Sequence, residues 1–553
     1  MLASLRATAT SATSAASAAA SVAASVARLS SASAPSAARA CLVASIAPIR
    51  TKHSSSSSSS SSAAMSGHHK GKKLNSATIN RQVNAAEYAV RGEIPIRAEQ
   101  LATELKQNAA SLPFKQITRC NIGNPQELQQ KPLTFFRQIC ALLEYDDLLH
   151  ERNHAHVASL FPADAIARAR SMRANIASMG AYTHSQGLKF IRDNVANFIT
   201  ARDNVGPADP NDIFLTNGAS DGVKTAMQML IQNRNSGIMI PIPQYPLYSA
   251  TLSLLDGTPV PYYLDEEKGW DLSIDELSRS IAEARAQNVD VRALVVINPG
   301  NPTGGVLSME SMRGIVELCH REHLVLLADE VYQTNVYQDQ RPFVSFRKVL
   351  KSMGPEFSNV ELISFHSVSK GFIGECGKRG GYMEMIGIDA YVREQIYKVA
   401  SISLCPNVQG QVIVDLMVNP PKEGEPSYEL YARERDQILG SLKDRSLFLV
   451  DTFNKMEGVT CQPAQGAMYT FPQIRLPKKA VEAAKAAGKA PDSFYCMALL
   501  EATGVSVVPG TGFKQREGTY HFRCTFLPPQ DTFPAFTDAI VRFHNEFMAK
   551  YKD

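Results

Sequence analysis

Lys370 sits in HSVSKGF (366–372), directly after the apolar run VELISF, between Ser369 and Gly371. Lysines usually keep their ammonium group in bulk water. One drawn partly out of water loses proton affinity and becomes a nucleophile that can form an imine with a carbonyl. Downstream, in GECGKRGG, Arg379 offers a planar fork suited to a phosphate, and Ser367 adds a hydroxyl beside the lysine. Upstream, Asp329 ends the apolar run LVLL in ADEVYQ (328–333), with Tyr332 three residues on. A carboxylate there is costly unless it has a positive partner, or caps the backbone that follows. In NPGNPTGG (298–305) two Asn-Pro pairs mark a tight turn, which leaves unexplained why asparagine holds both places. In LTNGASDGVKTAMQMLI (215–231), Gly218, Ala219 and Ser220 form a turn before an amphipathic helix. The first amides of such a helix can hold a phosphate, although similar turns are also ordinary caps.

Each of these stretches follows a strand-like segment. VRALVVINP, HLVLLADEVY and VELISFHSVSK are nearly continuous apolar runs, as expected for strands buried on both faces. SIDELSRSIAEARAQ and SMESMRGIVELCHRE precede the first two with helical spacing. The alternation predicts an α/β domain over about 179–424, with a mostly parallel sheet covered on both sides. Ligands of such sheets bind beyond the carboxyl ends of the strands, where the polar residues above fall. GVSVVPGTGF and TYHFRCTFLP predict a smaller α+β domain over 425–553, and KKAVEAAKAAGKAP an exposed helix and loop within it.

A chain of 553 residues predicts more than one domain. Its 44% hydrophobic and 20% charged content fits a soluble globular protein, and no apolar stretch reaches membrane-spanning length. The net charge of +4 is unevenly placed. Nine of the 57 basic residues and none of the 53 acidic ones lie in residues 1–86, so the remainder is acidic and the charge gives no argument for nucleic-acid binding. The Ala/Ser/Arg-rich start predicts a mitochondrial presequence, and the serine run Ser54–Ser62 a flexible linker. A second start at Met65 would yield a cytosolic form. The nine cysteines are scattered without metal-like spacing, so free thiols and no metal site are expected.

Taken together and in this order, the motifs resemble the fold-type-I, pyridoxal 5′-phosphate (PLP)-dependent aminotransferases of class I/II, and within them the alanine aminotransferase family. NIGNPQ, KPLTFFRQ, YTHSQG, IPQYPLYSA, ECGKRGGYMEM, QGAMYTFP and PGTGFKQREGTYHFR carry the resemblance across about 90–553. It implies a large domain with a mostly parallel seven-stranded sheet, preceded at 87–178 by an N-terminal arm and part of the small domain. It implies Lys370 as the lysine joined to PLP and as the base that moves the substrate's Cα proton. Asp329 would pair with the pyridine nitrogen, and Asn301 and Tyr332 with the phenolic oxygen. Tyr245 would stack on the ring, unless it is ordinary core. Gly218, Ala219, Ser220, Ser367 and Arg379 would hold the phosphate, together with Tyr182 of the other subunit in a homodimer. Arg523 would clamp the substrate carboxylate, with Asn301 beside it and Gly123 letting the backbone come close. The implied reaction moves the amino group of alanine to 2-oxoglutarate. Two readings stay open: glutamate:glyoxylate transamination, and a PLP lyase or synthase on the same fold. An aminotransferase-like regulator would add a basic DNA-binding segment, and none is seen.

Overall fold

The computed structural model describes residues 72–88 and 92–552. The proposed presequence, the serine linker and Met65 lie outside the described residues. Ordered structure begins before residue 87. Arg81–Ala85 form a short helix, capped where the Asn80 side chain accepts from Gln82 N.

Seven strands make one sheet: β1 Ile213–Thr216, β2 Ser236–Ile242, β3 Thr258–Tyr263, β4 Asp290–Ile297, β5 Val325–Asp329, β6 Leu362–Ser367 and β7 Gly381–Ile386. Their order across the sheet is β1-β7-β6-β5-β4-β2-β3, and β7 alone runs antiparallel to its neighbours. β1, β5, β6 and β2 are buried along their length, which explains their unbroken apolar text. β3, TPVPYY, was not legible as a strand because of its two prolines. It lies at the sheet edge, where a missing N–H costs nothing. Helices α1 Ala219–Leu230, α2 Ile274–Ala286 and α3 Met309–Glu322 cover the sheet, with apolar stripes turned inward. Ser308 caps α3 by accepting from Ser311 N.

A second core gathers the C-terminal elements around strands β8 Tyr469–Thr470, β9 Val508–Pro509 and β10 Phe522–Thr525, paired antiparallel in the order β8-β10-β9. The stretch 87–178 contributes side chains to both cores. Ile94, Ala98, Leu101 and Cys120 pack in this second core, whereas Leu133, Phe136, Ile139, Ala169 and Ile176 pack with Ile191, Val195 and Val412 of the larger one. Helical periodicity identifies an apolar stripe but not the surface that covers it. The lysine-rich helix Lys478–Ala486 is exposed on one face only, since Ala480 and Ala484 are buried.

One face of β5–β7 is polar although buried. Glu330, His366, Tyr382 and Glu384 lie there with Arg347, which bonds Glu384 at 3.0 Å. Burial pushes the Glu330 carboxyl up to about 8 and that of Glu384 up to about 7. Both hold protons in the folded state that the unfolded chain releases at ordinary carboxylate values, so stability is lost as pH rises from about 4.5 to about 8. Glu330→Gln keeps an acceptor for Phe346 N, which bonds Oε1 at 2.7 Å. Thermal unfolding of the variant should show a flatter decline across that window and a higher midpoint at about pH 9. Curves that overlay the wild type would mean Glu330 does not carry the dependence.

Candidate active site

The carboxyl ends of β1, β2, β4, β5 and β6 point to one edge of the sheet, and the loops that follow them hold the chemistry-bearing side chains. Gly123, Ala219, Ser220, Tyr245, Asn301, Asp329, Tyr332, Ser367, Lys370, Arg379 and Arg523 line one cavity of about 400 Å³. Arg523 comes from β10, so the cavity lies between the two cores.

Lys370 is half-buried three residues beyond β6, and its Nζ donates to Gly123 O at 2.6 Å. A Cβ on Gly123 would stand 2.0 Å from the Tyr469 hydroxyl and 3.0 Å from Lys370 Nζ. The glycine therefore makes room for two side chains of the protein itself, in the same cavity where the sequence placed it for close substrate approach.

Asp329 is buried at the end of β5. One oxygen accepts from Tyr248 OH at 2.9 Å, and the other, Oδ1, is buried without a partner among the described residues. Burial pushes this carboxyl up to about 6, against the opposing pull of the Tyr248 hydrogen bond.

At the other end, Gly218 precedes α1 at φ +88, and a Cβ there would meet Arg379 Nη2 at 2.5 Å. Arg379 donates to Asn217 O and to Cys376 O, both at 2.9 Å, so its fork is fixed against the helix start. The first amides of α1, the Ser220 and Ser367 hydroxyls and this guanidinium together make a site for a dianion.

Arg523 is buried, with its guanidinium carbon 4.2 Å from the Tyr469 ring centre and 4.7 Å from that of Phe513. Nη1 donates to Asn301 Oδ1 at 2.9 Å, while Nε has no partner. The two Asn-Pro pairs now divide their work. The Asn298 side chain closes the turn onto Leu307 N at 3.0 Å, and that of Asn301 aligns Arg523.

Residues 152–540 match the family model for aminotransferase class I and II. This chain belongs to the class I and II aminotransferases. It is 54% identical to an Arabidopsis thaliana protein named alanine aminotransferase 1, mitochondrial, over 86% of this chain and 87% of that one. It is 52% identical to glutamate–glyoxylate aminotransferase 1 of the same plant, over 87% and 98%. The solved alanine aminotransferase of Pyrococcus furiosus superposes with a TM-score of 0.66 at 22% identity, over 84% of this chain and 99% of that one, a likeness of fold.

Aminotransferases of this family work with PLP, and the residues present fit it. The unpartnered Asp329 Oδ1 is a buried acceptor that a protonated ring nitrogen would satisfy, and Ser220, Ser367 and Arg379 of the anion cradle line the same cavity. Tyr245 begins the helix Pro246–Leu254, and its hydroxyl lies 3.1 Å from that of Tyr88.

Of the sequence-expected aminotransferase residues, Tyr182 stands apart: it is 79% exposed and does not line the cavity. Gly218 acts from behind Arg379 rather than as a wall. Sequence reasoning missed Tyr248, Tyr469 and Tyr88. Tyr248 lies one helical turn after Tyr245, a spacing that could have suggested a shared role. Tyr469 carries no local signal, because only the pairing of β8 with β10 brings it to Arg523.

Proposed function

We propose that this chain is an alanine aminotransferase, carrying the amino group of L-alanine to 2-oxoglutarate by a two-stage exchange that releases pyruvate and then L-glutamate. The observation that carries the reading is the pairing, in one cavity, of a buried carboxylate with an open oxygen and a half-buried lysine, under a buried arginine with an unpartnered Nε.

PLP, when bound, supplies the electron sink for the substrate's Cα and stores the amino group between the two stages. The chain's own residues do the rest. Asp329 would hold a positive charge at the ring nitrogen. Tyr248 fixes the Asp329 carboxylate, and the first turn of α1 with Ser220, Ser367 and Arg379 would hold the phosphate. Tyr245 would cover the ring, and Asn301 and Tyr332 would bond its phenolic oxygen. Arg523, its plane trapped between two aromatic rings, takes the α-carboxylate that all the substrates share. Lys370 Nζ donates to Gly123 O in this structure, and as a free amine it would take and return the Cα proton.

The identity to a glutamate–glyoxylate aminotransferase favours a second acceptor, glyoxylate. With alanine alone, purified protein loaded with PLP should release no more than one pyruvate per active site, and sustained release should require 2-oxoglutarate or glyoxylate. Sustained turnover without any 2-oxo acid would exclude transamination.

A homodimer in which Tyr182 reaches the other subunit's phosphate site completes the proposal. Tyr182, Ile402 and Leu404 are 79%, 78% and 50% exposed, and Ser185 Oγ bonds Leu404 O at 2.6 Å, which ties the two segments into one apolar patch. Sedimentation at assay concentration tests this, and a monomer with full activity would exclude it. We keep 425–553 as the small domain and 179–424 as the large one, with 87–178 shared between them. The mitochondrial name of the Arabidopsis relative supports matrix targeting by the N-terminal segment. Terminal sequencing of mitochondrial and cytosolic fractions decides whether Met65 is also used.

A further inference from the structure

We propose that Tyr469 is a positioning residue for both reacting ends of this site: its ring holds the plane of Arg523, and its hydroxyl gives Tyr332 and Lys370 a common neighbour. The inference rests on the aminotransferase reading above and adds a residue to it.

Tyr469 is fixed by β8. It pairs with Thr525 across the antiparallel register, so it shares a face with Arg523, two residues along β10. The Arg523 guanidinium carbon lies 4.2 Å from its ring centre, with Phe513 at 4.7 Å on β9's connection. A guanidinium held over a ring away from water gains from the ring quadrupole and keeps its orientation. Tyr332 donates to the Tyr469 hydroxyl at 3.4 Å, and the two rings meet edge to face at 6.1 Å. The same hydroxyl and Lys370 Nζ both lie within 3.0 Å of the point where a Cβ on Gly123 would stand. A buried phenol therefore faces one amine and one guanidinium and accepts from another phenol. Burial pushes the Tyr469 phenol up, but the charges of Lys370 and Arg523 and the Tyr332 bond outweigh it and hold it below the usual tyrosine value. Burial and the neighbouring Tyr469 push Tyr332 well up. The pair is thus asymmetric: Tyr332 stays the donor and Tyr469 the group that tolerates negative charge.

Two variants separate ring from hydroxyl. Tyr469→Phe keeps the stack on Arg523; Tyr469→Leu removes both. With alanine and 2-oxoglutarate, the Phe variant should keep KM for both substrates within about twofold, while kcat falls about tenfold or more and its pH profile moves. The Leu variant should in addition raise KM for both substrates about tenfold. In coenzyme-free protein, near-ultraviolet titration of phenolate absorbance should show one tyrosine ionising ahead of the others, absent from Tyr469→Phe. A Phe variant whose titration and kcat profile overlay the wild type overturns the role of the hydroxyl. A Leu variant with unchanged KM overturns that of the ring. Should the Leu variant fail to fold, Tyr469→Met takes its place. If the unmodified enzyme fails to use alanine, the functional reading falls, whereas the coenzyme-free titration still decides the hydroxyl's part.

Discussion

Replacing Lys370 with alanine should abolish transamination, with pyruvate release falling by more than about 10⁴-fold. Two proposed roles would disappear at once: the amine as the covalent attachment point, and the amine as the group that moves the Cα proton. The side chain sits half-buried in the cavity wall, and its hydrogen bond to Gly123 O contributes only about 1 kcal/mol to the fold. The variant should therefore unfold near the wild-type temperature while losing the yellow colour of covalently held coenzyme. Borohydride treatment of the loaded wild type should fix the coenzyme at Lys370 and nowhere else. A variant that still cycles, or label recovered on another lysine, would end the assignment.

Asp329→Asn should lower kcat by about 10²–10³-fold, the scale of one preorganised electrostatic partner. Asparagine keeps the shape and an acceptor for Tyr248, but it cannot hold a positive charge on a ring nitrogen. The stability effect has the opposite sign. Burial raises the Asp329 carboxyl to about 6, so coenzyme-free protein pays for ionising it, and that cost is complete once pH passes about 6. At about pH 7 the Asn variant, free of coenzyme, should melt at or above the wild-type temperature. Near-normal turnover would reduce Asp329 to a structural carboxylate. A lowered melting point with intact kcat would mean that Tyr248 and Asp329 form a stabilising pair rather than an electrostatic anchor.

Much of this molecule was legible in its text because local rules act at the places that matter. Buried strands leave continuous apolar runs, so β4, β5 and β6 could be read directly, and with them the strand ends where Asp329 and Lys370 stand. The glycine at 218 precedes a helix with a positive φ, a local signal, although its closeness to Arg379 is not local. What escaped was non-local. β3 was hidden by prolines that an edge strand tolerates. The stretch 87–178 was read only as an arm and part of the small domain, and the core that each of its segments joins was not legible. Gly123 was read as letting the backbone approach a substrate, and what that reading could not show is that a Cβ there would also meet Tyr469, 346 positions later in the chain.

By itself the sequence determined the buried strands at whose ends the site residues stand, the residue types needed to hold a phosphate-bearing carbonyl compound beside an amine, and the family those motifs resemble. Only the tertiary structure decided which groups meet. It set Tyr248 against Asp329, Asn301 and Tyr469 against Arg523, and Tyr332 against Tyr469. Periodicity and turn chemistry are local and are written in the chain. Electrostatic pairing depends on distance in space, and that is fixed only when two cores close on one cavity.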